Sequence, residues 1–76
     1  MTERKPIWRF EGRSERTGDH HTGIVYYLGG MNYEITVSKR PKHTYTAKYL
    51  VDHDGGAVRR EVELVYSLRD VKFAKF

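Results

Sequence analysis

Residues 22–38 read TGIVYYLGGMNYEITVS. Runs of β-branched and aromatic residues flank Gly29-Gly30, and such side chains suit a pleated, half-buried surface. The glycine pair predicts a two-residue type I′ turn, because both central positions need positive φ and glycine takes it without steric cost. With that pair as the loop, Leu28 faces Met31, Tyr26 faces Tyr33, Ile24 faces Ile35 and Thr22 faces Val37. Tyr27 opposite Asn32 and Val25 opposite Glu34 fall on the other side. One face is then nearly all apolar and the other mixed, so turn chemistry and patterning agree on an antiparallel hairpin.

Working outward, residues 44–68 predict a second hairpin that turns over DHDGG at 52–56. Val62, Leu64, Tyr66 and Leu68 alternate strictly, which favours a strand over the competing helix through residues 57–69. A first strand is expected at 7–11, with Trp8 and Phe10 on one face, and a last strand at 71–76 after a tight turn at Arg69-Asp70. The polar stretch 11–23 reads as a long loop, and 38–43 as a shorter one. The expectation is an all-β chain of six short antiparallel strands, mainly a meander, closed as a small barrel or folded as a two-sheet roll. Its expected core is Trp8, Phe10, Ile24, Tyr26, Leu28, Tyr33, Ile35, Val37, Tyr45, Ala47, Val51, Val62, Leu64, Leu68 and Phe73. The size and the long first loop are similar to those of SH3-like barrels, in architecture only; no family motif accompanies the likeness.

A length of 76 residues allows one domain, residues 1–76, with a thin core. The absence of Cys excludes disulfides and thiolate sites and suits a reducing compartment, so a cytoplasmic protein is expected. No apolar run approaches the length of a membrane span. Lys and Arg number 14 against 10 Asp and Glu, and the net charge of +4 favours anionic partners.

Chemistry-bearing clusters are few. Asp19-His20-His21 and Asp52-His53-Asp54 contain metal-binding residue types, but adjacent His residues on a strand point to opposite sides. Their plain reading is turn-forming Asp with solvated His, and the second cluster lacks the closing Glu of a calcium loop. Ser14 with Glu15 and His20 or His21 makes a triad only on paper, in one polar loop. Glu61 and Glu63 would share one strand face with Arg59 as a solvated surface. Gly29-Gly30 and Gly55-Gly56 read as hairpin turns rather than phosphate cradles. A non-enzymatic chain without metal or cofactor is expected.

Charge placement says more. From residue 35 to 51 there are four cations, Lys39, Arg40, Lys42 and Lys48, and no acid. His43 extends the Lys39–Lys42 turn, Arg13 and Arg16 add cations from the first loop, and Tyr27 and Phe76 are the outward aromatics of the expected register. Cations that track phosphates beside a ring on which bases stack describe a nucleic-acid site, with a single strand or RNA favoured. The rival is a protein-binding module, an inhibitor or adaptor that caps an acidic surface or adds a strand to a partner's sheet.

Overall fold

The computed structural model describes residues 4–47 and 55–76. Five strands, β1 (Lys5–Ser14), β2 (His20–Gly29), β3 (Asn32–Val37), β4 (His43–Thr46) and β5 (Leu68–Lys75), form one open sheet in the order β4-β3-β2-β1-β5. One helix, α1 (Gly55–Tyr66), stands between β4 and β5 in the chain. Strand makes up 58% of the structure, so the mostly-β expectation holds, whereas a closed six-stranded barrel does not.

The missing strand is the helix. Val58, Val62 and Tyr66 recur at four-residue spacing and are all buried, so they make a single apolar stripe. The same segment read as a strand would bury Leu64, which is instead 72% exposed. A single sheet cannot cover its own apolar face; the amphipathic helix does so, and that demand outweighs the local alternation. Gly55 and Gly56 therefore open α1 rather than close a hairpin. Val51 and the rest of the expected turn, together with Lys48, lie outside the described residues. The helix stops at Ser67, whose φ of 53° is the left-handed conformation common just past a helix end. Leu68 then begins β5, and Asp70, also at φ 53°, bulges within that strand where the β1–β5 register shifts. No tight turn forms at Arg69-Asp70.

The β2–β3 hairpin forms, with Gly29 at φ 100° and Gly30 at φ 59°. Its register differs by one residue along β2. Gly29 pairs with Asn32, and a shift beyond Leu28 sets Tyr27 opposite Tyr33, Val25 opposite Ile35 and Gly23 opposite Val37. A one-residue slip exchanges the faces of a strand. Val25 and Tyr27 consequently join Tyr33, Ile35 and Val37 toward the core, while Ile24 and Tyr26 share the other face with Thr36 and Glu34.

The third strand decides that register. Phe10 of β1 stands opposite Gly23, and a β-carbon at Gly23 would run into the Phe10 ring and the Thr36 carbonyl. Only with Gly23 facing the core does the Phe10 ring have its place. The polar stretch after it is mostly strand: Gly12, Ser14 and His21 alternate inward, and only residues 15–19 form the loop. Ser14 Oγ accepts from the N–H groups of Arg16 (3.2 Å) and Thr17 (3.3 Å), which closes that loop tightly.

Every neighbouring pair in the sheet is antiparallel, so the edge strands β4 and β5 run in the same direction. The link through α1 crosses one face between them, and its buried stripe joins Phe10, Val25, Tyr33, Ile35, Val37, Leu68 and Val71 in one core. Beneath it an aromatic band spans the sheet. Phe73, Trp8, Tyr33 and Tyr45 follow one another at centroid separations of 6.0, 6.4 and 6.2 Å, within the range of favourable ring pairs. Tyr33 and Tyr45 of the tyrosine surplus are used there.

Candidate nucleic-acid interface

The topology brings Arg16, offset in its own turn by Glu15 and Asp19, to the same end of the sheet as the Lys39–Lys42 turn. β1 runs toward residues 15–19 and β3 runs toward residues 38–42; since β1 and β3 both flank β2 antiparallel, the two turns lie at the same end of the sheet. The second turn is held at several points. Ser38 N–H donates to Thr22 O at 3.0 Å, Arg40 N–H to Val37 O at 3.2 Å, and the Tyr66 hydroxyl to Pro41 O at 2.8 Å. Lys39 takes φ 63° to close it. Lys39, Arg40 and Lys42 are all exposed on this braced backbone, as is Arg16 on the neighbouring turn.

Arg13 belongs to β1, opposite His20 on one side and Arg69 on the other, on the sheet face away from the helix. Glu15 beside it accepts from Arg69 Nε at 3.3 Å, which draws off one of the acids near this rim. None of Arg13, Arg16, Lys39, Arg40 and Lys42 makes a salt bridge among the described residues. Five cations therefore stand without a salt bridge among the described residues, with Asp19 nearby and Glu11 and Asp70 lining the same hollow as Arg13.

Two expected members stand elsewhere. Tyr27 lies near the opposite end of β2, faces the core side, packs against Tyr33 at 5.4 Å and donates its hydroxyl to Gly30 O at 2.8 Å. The register slip moved it, and it offers no outward platform. His43 pairs with Ile35, points to the helix side, and its Nε2 lies 2.7 Å from Glu61 Oε2. That pair ties β4 to α1, so His43 is a brace for the rim rather than part of it. Glu61 is thereby engaged, and the shared carboxylate face expected with Glu63 does not form on a helix.

The other clusters resolve into structure as well. His20 and His21 do point to opposite sides: His20 is exposed, 3.5 Å from Glu11 Oε2, and His21 is buried with neither ring nitrogen hydrogen-bonded among the described residues. His21 is thus a core residue, not a solvated loop side chain. The Ser14 hydroxyl is buried and spent on two backbone donors, and among the described residues no nucleophile–base hydrogen bond links it to a histidine. No group of three or more His, Asp or Glu gathers among the described residues. No helix among them is long and apolar enough to cross a membrane.

Sequence reasoning missed the helix-free face. Arg9 pairs with Ile24 and Ala74, and Glu11 pairs with Thr22 and Lys72, giving two rows of outward side chains across β5, β1 and β2. Together with Thr36, Ser38 and Phe76 they line a groove of about 780 Å³ that begins beside the rim. The alternation of Trp8 and Phe10 inward implies Arg9 and Glu11 outward, but only the β1–β5 pairing places Lys72 next to them.

Comparison with protein-family models, curated proteins and solved structures returns no match, so function rests on this geometry.

Proposed function

We propose that the chain is a non-catalytic nucleic-acid-binding domain whose cationic rim, Arg13, Arg16, Lys39, Arg40 and Lys42, holds the phosphate backbone. The reading rests on one observation: the Lys39–Lys42 turn shares one end of the sheet with Arg13 and Arg16, on backbones fixed by hydrogen bonds, with no salt bridge drawing off those five side chains among the described residues. Cations held in place gain more from an arriving phosphate than cations that must first be ordered. Strand addition to a protein partner has less support. β4 is only four residues long, and β5 is bulged at Asp70 and carries Arg69, Lys72 and Lys75, features that discourage edge pairing.

Fluorescence anisotropy with single-stranded and duplex oligonucleotides at about 50 and about 200 mM salt tests this, since phosphate-driven affinity falls steeply over that range. The triple reversal K39E/R40E/K42E is expected to weaken binding at least about tenfold and to flatten the salt dependence. Absence of binding at the lower salt would exclude the reading, and capture of an acidic protein in its place would favour the rival.

A further inference from the structure

We infer that the helix-free groove is the seat of an unpaired strand: its bases lie on the floor against Ile24 and the Phe76 ring, with phosphates at Arg9 and Lys72. This rests on the nucleic-acid reading above and adds to it a second surface and a choice of ligand, single strand over duplex.

The floor is made of short side chains. Ala74, Ile24 and Thr36 fall in the row of Arg9, and Thr22 and Ser38 in the row of Glu11 and Lys72, so the long side chains stand above a shallow trough. Phe76 stays 64% exposed at its edge, unlike Phe10, Tyr33 and Tyr66, which are buried on the other side. Its backbone is fixed, with the N–H donating to Ile7 O at 3.1 Å, so the ring is presented from an ordered strand end. An exposed ring and a half-buried Ile24 that line the same groove offer faces to bases, and only an unpaired strand has base faces to give; a duplex keeps them stacked inside.

Charge selects the same class of ligand. Arg9 and Lys72 stand diagonally on neighbouring strands, Arg13 continues the line to the rim, and none has a carboxylate partner among the described residues. Glu11 is the one acid lining the groove, and its carboxylate is turned toward His20 at 3.5 Å. Phosphates are therefore directed along the Arg9–Lys72 side, and the groove leads them to the Lys39–Lys42 turn through Ser38.

Titration of the ¹⁵N-labelled chain with a single-stranded oligonucleotide tests the seat without any mutation. The amides of Thr22, Ile24, Thr36 and Ala74 are expected to shift along with those of the rim. Phe76→Ala should weaken single-strand binding by about five- to a hundredfold, the range of one lost base stack, and leave duplex affinity unchanged. R9E/K72E should weaken it to a similar degree, whereas Glu11→Gln should tighten it about two- to fivefold. Wild-type binding that shifts only the rim amides, with F76A and R9E/K72E unaffected, would overturn the groove while leaving the rim reading intact. No binding by the wild-type chain at low salt would remove both.

Discussion

Gly23 is the residue on which the sheet turns. Its missing side chain is replaced by the Phe10 ring from the next strand, which itself packs on Phe73 at 5.2 Å. Gly23→Ala must push the ring or the Thr36 backbone aside, and we expect a cost of about 3 kcal/mol or more, read as a lower urea midpoint. That is a large part of the roughly 4–11 kcal/mol expected for a chain of this length. His21, on the same face, has the opposite effect on stability. It is 8% exposed with both ring nitrogens unpartnered among the described residues, so it bears the penalty of a buried polar group without the compensating bond. His21→Leu should raise stability by about 1 kcal/mol, measured in the same titration. The role of Gly23 was not legible from residues 22–38 alone, because its reason lies at Phe10, in a strand whose partner the sequence does not announce.

At the scale of elements, α1 carries the lesson. A segment whose Val62, Leu64, Tyr66 and Leu68 alternate also places Val58, Val62 and Tyr66 on one helical stripe, and both patterns are present in the same residues. Local pattern does not separate them; the need for a lid over an open sheet does. The helix is then fastened at its end to the turn that carries the rim. The Tyr66 hydroxyl donates to Pro41 O at 2.8 Å and reaches Ile35 O at 3.3 Å, and Glu61 meets His43 one turn earlier. Tyr66→Phe leaves those carbonyls without their donor, and a loss of about 1–2 kcal/mol in urea unfolding is expected. The amides of residues 39–42 should exchange faster in that variant, since it frees the turn from the helix.

For the whole molecule, the division of faces governs stability and underlies the proposed binding. One face is closed by α1 and holds the aromatic band, where burial raises the Tyr66 hydroxyl above its ordinary pKa and, with Tyr27 and Tyr45 as further contributors, raises Tyr33 as well. Both groups bind their protons more tightly when folded. Their contribution to stability is full below the unfolded tyrosine value of about 10 and is lost as pH rises through the folded values. Alkaline unfolding followed by circular dichroism should therefore set in above about pH 10, and Y66F should show a shallower decline there. The other face stays open, and it is the one on which the proposed strand would lie.

Sequence by itself determined the antiparallel β2–β3 hairpin with its two positive-φ glycines, the inward set Tyr33, Ile35 and Val37, and the surplus of cations across Lys39–Lys42. These depend on turn sterics, period-two alternation and composition, all of which act between near neighbours. Tertiary structure alone decided the slip that turned Tyr27 inward, the helix in place of a strand, and the joining of Arg9, Lys72 and Phe76 into a groove. Each of those depends on which distant segment fills a given space: a ring beside a glycine, a lid over a sheet, an edge strand beside β1. Packing of that kind is a property of pairs far apart in the chain, and no window of residues contains both partners.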